Sequence, residues 1–348
     1  MKKITIKDIA KLAGVSVSTV SRAINNDSEV SEKTKKKIEK IVSETNYHPS
    51  MLARGMVSKK TNMLAILVSD ITNPYFNQLV AELDSQLIDK GYTLSLFDTQ
   101  TANGIQDKKN RLTEVSIFKQ IQENNFDAVL ILGGLLDETD INPDYQAALS
   151  NLAKEIPLIL LGRDLTHLSA NIFSLKRDQR TPTQLLVSHM IQKGYQKLAF
   201  IGGLSNTWMT QERTDSFREI LTENHLPIDE KRIINNNFYA KDGYEAVTRL
   251  INSKVDFDGI VAINDRVAQG ALRALRDFSS SPQLKGVASC EYFPDSDFHI
   301  PRITSVDHNI PELGEKAIHL LFEVLDKEPI NTENLGFPIP KLIIGESC

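Results

Sequence analysis

The chain has 348 residues, 24% of them charged and 41% hydrophobic, with a formal net charge of −5, which is an ordinary soluble composition with room for two or three domains. No apolar run reaches the roughly 18 residues that a membrane span needs. Met1-Lys2-Lys3 leads into a capped helix rather than the apolar core of a signal peptide, and Cys290 and Cys348 lack metal-ligand spacing and fit a reducing cytoplasm.

The charge is unevenly spread. Residues 1–60 hold 13 Lys and Arg against 6 Asp and Glu, a surplus of +7, so the rest of the chain carries −12. A basic head on an acidic body is the electrostatic footprint of a nucleic-acid binder whose body stays off the phosphates. The run Lys33, Lys35, Lys36, Lys37 and Lys40 adds to it, although by itself it also reads as a solvated helix face.

The first elements explain that head. Ile6, Ile9, Ala10 and Ala13 share one helical face, and Val15, Val20 and Ile24 supply a matching face after a turn at Gly14. Thr5 three residues before Asp8 is a capping-box pattern, and Ser16 is a good cap for the second helix. Two short helices at such a turn predict a helix-turn-helix, whose second helix lies in a major groove. On it, Ser16, Ser18, Thr19 and Ser21 offer short hydroxyls, Val17 an apolar contact for a thymine methyl, and Arg22 a fork for guanine O6 and N7. Pro49 interrupts the helix before it, Ser50 can cap another, and Gly55 weakens that one, so a short helix after Pro49 would not be stable alone.

The stretch Ile6–Asn25, then Val30-Ser31-Glu32-Lys33-Thr34, Asn46-Tyr47-His48-Pro49 and Leu52-Ala53-Arg54-Gly55-Met56 closely resembles the headpiece of the LacI/GalR family of bacterial transcription regulators. The resemblance implies a third helix near Glu32–Thr45 and a hinge helix, here Ser50–Val57, that folds on operator DNA and enters its minor groove. It adds Thr5, Asn25, Tyr47, Ala53 and Arg54 to the DNA contacts, and Met56 stands where a leucine usually wedges between base steps.

From Thr61 the pattern turns α/β. Strands are expected at Met63–Val68, Thr93–Phe97, Ala128–Leu132 and Leu158–Leu161, with a helix at about Tyr75–Lys90 that stops at Gly91. A second series begins after Phe173, with helices at about Thr183–Lys193 and Gln211–Asn224, strands at Lys197–Ile201 and Gly259–Ile263, and a helix carrying Val267–Leu275. Alternation of this kind implies parallel sheets covered by helices, and two series imply two lobes. The organisation read from this is a headpiece at 1–49, a hinge and linker at 50–60, and a body at 61–348. The body's N-lobe spans about 61–173 and 308–330, its C-lobe about 174–307 and 331–348.

Ligands of such folds bind beyond the carboxyl ends of the strands. Those ends fall at Ser69–Pro74, Gly133–Leu136, Gly162–Asp164, Leu204–Arg213, Asn264–Arg266 and Ser289–Tyr292, and none carries a nucleophile elbow, P-loop, dinucleotide or zinc motif. The chain is therefore expected not to be an enzyme and to use no cofactor, catalytic residue or metal. The body is similar to the family's two-lobed periplasmic-binding-protein fold, through Ser69-Asp70-Ile71-Thr72-Asn73-Pro74-Tyr75-Phe76, Gln211-Glu212-Arg213 and Asn264-Asp265. That similarity implies a small effector, often a sugar, held by Ser69, Asp70, Asn73, Tyr75, Phe76, Arg213, Asn264 and Glu291, with Phe238 stacked on its ring. Glu291-Tyr292 replaces the family's paired Asp-Asp/Asn. Gly162-Arg163 replaces an acid, so Arg163, with Arg213 and Lys176, can favour a phosphorylated or acidic sugar.

The function expected is a cytoplasmic repressor of carbohydrate-utilisation genes. It binds palindromic operator DNA as a homodimer, answers to a sugar or sugar phosphate, and has no membrane role. The chain stops at Cys348 without a heptad tail, which favours a dimer over a tail-joined tetramer. The alternatives are a catabolite regulator with a phosphoprotein corepressor, which needs a basic patch that Lys316 and His319 alone do not make, and a purine- or nucleoside-responsive repressor.

Overall fold

The computed structural model describes residues 4–24, 29–45, 47, 60–103, 108–278, 285–330 and 335–348. The chain divides into two compact units, Met1–Met63 with Asn124–Asp127 and Leu64–Glu123 with Ala128–Cys348.

In the first unit three helices follow one another, α1 (Ile6–Ala13), α2 (Val17–Ile24) and α3 (Glu32–Glu44). The start of α1 is fixed by the capping box, in which the Thr5 backbone N–H and hydroxyl both donate to the Asp8 carboxylate, at 2.9 and 2.7 Å. Its end needs a left-handed residue, and Gly14 supplies it at φ 67°. Ser16 Oγ accepts from the Thr19 N–H at 3.1 Å and starts α2. The faces these caps set meet in one small core of Ile9, Ala10, Ala13, Val20, Ala23, Val30, Ile38 and Tyr47. The turn between α1 and α2 is thus the helix-turn-helix that the spacing predicts. The hinge helix expected at Ser50–Val57 lies outside the described residues.

The second unit holds two sheets. The first has the order β2-β1-β3-β4-β5, from β1 (Met63–Val68), β2 (Thr93–Asp98), β3 (Ala128–Leu132), β4 (Leu158–Gly162) and β5 (Ile172–Lys176). β1, β3, β4 and β5 pair in parallel, with Leu64 opposite Ala128 and Leu158 opposite Ile172. Their near-continuous apolar runs are what burial on both faces requires. Helices α4 (Pro74–Asp89), α5 (Lys108–Glu123) and α6 (Pro143–Ala153) belong to this lobe.

The second sheet has the order β11-β10-β9-β8-β6-β7, from β6 (Leu198–Ile201), β7 (Ile233–Ile234), β8 (Gly259–Ala262), β9 (Gly286–Ser289), β10 (Thr304–Asp307) and β11 (Lys341–Ile343). Its strands run parallel except for the antiparallel edge pair β10–β11. Helices α7 (Thr181–Gln192), α8 (Trp208–Glu223), α9 (Ala240–Asn252) and α10 (Asp265–Phe278) accompany it.

The chain crosses between the lobes more than once. β5 carries the first sheet as far as Lys176, past the crossing expected at about 173. After β10 the chain returns, and Leu313, Ala317, Leu320 and Leu321 of α11 (Ile310–Asp326) complete the core of the first lobe beside Leu79, Leu83 and Leu87 of α4. β11 then closes the second sheet. Among the described residues no helix is long and apolar enough to cross a membrane.

Candidate functional site

Two surfaces carry chemistry, one in each unit. On the headpiece, Thr5, Ser16, Val17, Ser18 and Arg22 are exposed and Thr19 is half-buried. The hydroxyls already form a chain, since Ser16 Oγ lies 2.8 Å from both Ser18 Oγ and Thr19 Oγ1. Arg22 projects from α2 and pairs with Glu29 at 2.9 Å.

Two expected contacts are corrected. Ser21 follows Val20 and precedes Ile24 by three, which turns it onto the core side of α2, where it is 4% exposed. The Tyr47 ring is 7% exposed and fills the headpiece core. Asn25, Ala53, Arg54 and Met56 lie outside the described residues. Of the lysine run, Lys35 is buried beside Glu32, so it packs rather than projects.

In the body, a recess of about 950 Å³, counting its solvent-open mouth, is lined from both lobes. Ser69, Asp70, Asn73, Tyr75, Phe76, Arg213, Phe238, Asn264 and Glu291 all line it, as the sequence led us to expect. Arg163 does not. Its guanidinium turns away and donates to the carbonyls of Leu136 (3.0 Å), Thr139 (3.2 Å) and Glu138, so it braces the loop after β3. The sequence reading missed Asp137, Arg177, Gln179, Trp208, Tyr239 and Arg266.

The floor is built around Glu291. Arg177 Nη2 donates to both of its oxygens, at 2.7 and 2.9 Å, and Arg213 Nη2 donates to Oε1 at 2.6 Å. All three side chains are buried. Burial works to raise the Glu291 pKa, but the surrounding positive charge outweighs it and holds the group at about 2. His308 sits 3.4 Å from the same carboxylate, yet burial and Arg177 push its pKa down to about 3, so it is neutral near pH 7 and its Nε2–H donates to the Cys290 carbonyl at 3.0 Å. The two arginines are therefore the cations that hold Glu291.

Arg213 is locked further. Its Nε donates to Gln179 Oε1 at 3.0 Å and its Nη1 to the Ile263 carbonyl at 2.7 Å. Arg177 is held between rings, 4.8 Å from the Tyr75 centroid and 5.9 Å from that of Phe337. Asn264 does two jobs, accepting from the Val267 N–H at 2.9 Å to begin α10 and donating to the Phe238 carbonyl at 3.1 Å.

The rim joins the lobes. The Tyr239 hydroxyl donates to Asp70 Oδ2 at 3.0 Å, Arg266 lies 3.7 Å from the same oxygen, and Arg266 also donates to the Thr72 carbonyl. Across the mouth, Thr139 N–H donates to the Asn206 carbonyl at 2.8 Å. Under the first lobe's edge of the recess, Gly133 and Gly134 take φ of 101° and 118°. A side chain on Gly134 would press on the Glu114 carboxylate, which lies fully buried beneath and accepts from the Tyr145 hydroxyl at 2.5 Å and the Leu135 N–H at 3.1 Å. Burial lifts Glu114 to about 7 and Asp137 beside it to about 6.

On α11, Lys316 is engaged by Glu312 at 3.7 Å and the Gly336 carbonyl at 3.1 Å, and His319 lies 3.3 Å from Glu323. Neither adds to a basic patch.

Two family descriptions match the chain. "Bacterial regulatory proteins, lacI family" covers residues 5–50 and "Periplasmic binding protein-like domain" covers residues 187–348. The ribose operon repressor of Halalkalibacterium halodurans is 26% identical over 344 residues, 99% of this chain and 96% of the relative. Catabolite control protein A of Staphylococcus xylosus is 26% identical over 336 residues, 96% of each. In fold, the chain is similar to the lac repressor dimer bound to operator and the anti-inducer ONPF, with a TM-score of 0.80, 20% identity and 99% of each chain covered. It is also similar to the transcriptional regulator CelR–cellobiose complex, with a TM-score of 0.68, 22% identity, and 99% and 100% covered. A basic helix-turn-helix at one end, a two-lobed body and relatives matched along nearly their whole length lead to one conclusion: the chain belongs to the lacI family of bacterial regulatory proteins and is a DNA-binding transcription regulator rather than an enzyme.

Proposed function

We propose that this regulator is a cytoplasmic repressor of carbohydrate-utilisation genes, which binds a palindromic operator as a homodimer and changes its operator affinity when a small sugar-type effector fills the recess between the lobes. The observation that carries the reading is the lining of that recess. It combines apolar rings (Phe76, Trp208 and Phe238), suited to the C–H face of a sugar, with amide, hydroxyl and charged groups suited to vicinal hydroxyls.

Coupling follows from where the recess lies. Its rim joins the lobes by few polar contacts, Asp70 with Tyr239 and Arg266 on one side and Thr139 with Asn206 on the other. A ligand that favours one lobe geometry shifts the population toward it, and the operator affinity must then change by the same factor by which operator changes ligand affinity. In a twofold dimer the two headpieces read two half-sites whose spacing the dimer sets.

The test is an operator titration by fluorescence anisotropy with and without monosaccharides and sugar phosphates at saturating concentration. A sugar that lowers operator affinity severalfold is the expected result. Operator binding that no sugar or sugar phosphate alters, with purines active in their place, would overturn the carbohydrate reading.

A further inference from the structure

The charged side chains that line the recess balance, Asp70, Asp137 and Glu291 against Arg177, Arg213 and Arg266, so the lining asks no net charge of a ligand. The three carboxylates differ in how far they are already satisfied. Asp70 accepts from the Thr72 N–H and hydroxyl on one oxygen, at 2.8 and 2.6 Å, and from the Tyr239 hydroxyl on the other, at 3.0 Å. Both oxygens of Glu291 are taken by Arg177 and Arg213. Asp137 accepts from the Gly134 N–H, and among the described residues no side chain donates to it. An ionised carboxylate offers about four acceptor sites, so most of its capacity is unused. The charges of Arg163 and Arg177 favour the ionised form against burial, and with a pKa of about 6 the group is mostly ionised near pH 7.

The position of Asp137 gives that capacity a target. It ends the short turn Leu135–Asp137 after β3 and is half-buried where it lines the recess. A Cβ on Gly133 would stand 2.9 Å from Asp137 Oδ2 and 3.5 Å from both Ser69 Oγ and Phe76 Cζ. Groups that follow β1, follow β3 and open α4 thus converge on one point, left clear because residue 133 is a glycine at φ 101°. The Ser69 hydroxyl has no hydrogen-bond partner among the described residues. Gly162, at the end of the neighbouring β4, lines the recess too, and a Cβ there would meet nothing within 4 Å. A carboxylate, a hydroxyl and an aromatic edge around one gap suit two adjacent hydroxyls and the C–H beside them.

We infer that Asp137 is the residue that selects the effector, its carboxylate accepting from two adjacent hydroxyls of an uncharged sugar seated against Gly133, with Ser69 and Phe76 closing the subsite. This inference rests on the effector reading above and deepens it. Glu291, which the family resemblance offers as an effector-binding acid, instead holds the two arginines of the floor in place. The acid that meets the ligand stands on the opposite lobe.

The experiment is calorimetric titration of the full-length protein with D-glucose, D-galactose, D-xylose, D-ribose, maltose and cellobiose, beside glucose 6-phosphate and D-glucuronate. The singly deoxygenated analogues of the sugar that binds are then titrated into the parent and into Asp137→Asn. The expected result is that a neutral sugar binds and that Asp137→Asn weakens it roughly tenfold or more, the worth of hydrogen bonds to a charged acceptor. A deoxy analogue that the parent rejects should no longer be rejected by the variant, a pairing that a merely structural role would not produce. Ser69→Ala reads the same subsite from another strand if the asparagine variant folds poorly, and it should weaken the same sugar severalfold. Parental affinity for the sugar in either variant, a deoxy penalty that survives in Asp137→Asn, or binding of the phosphate or the acid alone overturns the inference and leaves the effector reading standing. Failure of every compound to bind overturns both.

Discussion

Two arginine–glutamate pairs of nearly equal length show how differently the two units use charge. Arg22 and Glu29 meet at 2.9 Å on the headpiece, with side chains 51% and 68% exposed. Arg213 and Glu291 meet at 2.6 Å in the body, with side chains 0% and 8% exposed. The first pair lives in water and salt, where such contacts contribute about 0–1 kcal/mol and open readily. The second has no water to fall back on, so its partners depend on one another. The headpiece keeps its charge available for an incoming polyanion, and the body locks its charge into a floor on which a ligand can be placed.

The largest test of that contrast is Glu291→Gln. Two buried guanidinium groups would face each other without a counter-charge, and breaking a buried pair in this way costs about 3–5 kcal/mol. The body's unfolding midpoint in urea should fall sharply while the headpiece keeps its helicity. The pH dependence has a fixed sign. With a folded pKa of about 2, the stabilisation by ionised Glu291 is complete above its unfolded value near 4.5 and is lost as pH falls through 2. An unchanged midpoint near pH 7 would mean that the two arginines do not depend on Glu291 to stay buried.

The same contrast explains what could be read from residues alone. Headpiece function lies in caps and in a 3.6-residue period, so Thr5–Asp8, Gly14 and Ser16 announce both the helices and the face they expose. Ser21 shows the limit of reading by residue type, because its hydroxyl suggests a DNA contact while its spacing to Val20 and Ile24 places it on the core side of α2. In the body, the strand ends locate the recess, but partners come from segments more than a hundred residues apart, as with Arg177 and Glu291. Arg177 follows a strand that the sequence does not announce, since the boundary between the two series is expected after Phe173, inside Ile172–Lys176, so its loop is not among the strand ends that the pattern offers. Trp208, the only tryptophan of the chain, stood inside an expected cleft loop and offered a signal that composition alone could have raised.

A buried carboxylate of opposite tendency sharpens the comparison within the body. Glu114 has its pKa raised to about 7 by burial, against the pull of its bonds to Tyr145 and Leu135. Its stabilisation is therefore fully present below its unfolded value near 4.5 and is lost as pH rises through 7, the reverse of Glu291. The effect amounts to about 3 kcal/mol if the whole shift is realised. Glu114→Gln keeps an acceptor for Tyr145, so the stability difference between the variant and the parent should move in the variant's favour from pH 5 to 8. A difference that stays flat across that range would show that Glu114 does not bind a proton on folding. Asp137, raised to about 6, adds a smaller slope of the same sign in both proteins.

On the headpiece the expected effects are on binding rather than folding. Arg22→Ala removes an exposed ion pair, which should leave stability within about 1 kcal/mol of the parent. Removing a bidentate grip on guanine costs about 1–3 kcal/mol of discrimination at one base position. Specific operator affinity should fall while salt-dependent non-specific binding persists. If both fall equally, Arg22 touches phosphate only and base selection lies elsewhere on α2.

The smallest effect separates two serines on that helix. Ser18 is exposed and linked through Ser16 to Thr19, whereas Ser21 is buried against the core. Ser18→Ala deletes an exposed hydroxyl that we propose faces the operator, and it should weaken binding by about 0.5–1.5 kcal/mol, with an unchanged melting profile. Ser21→Ala leaves the outer face of α2 intact, so operator affinity should stay at the parental value and any change should appear in headpiece melting. The pair of variants is informative because position, chemistry and size are so nearly matched that exposure alone distinguishes them. Loss of operator affinity in Ser21→Ala with melting unchanged would mean that α2 turns on DNA to present a face that the free headpiece keeps inside.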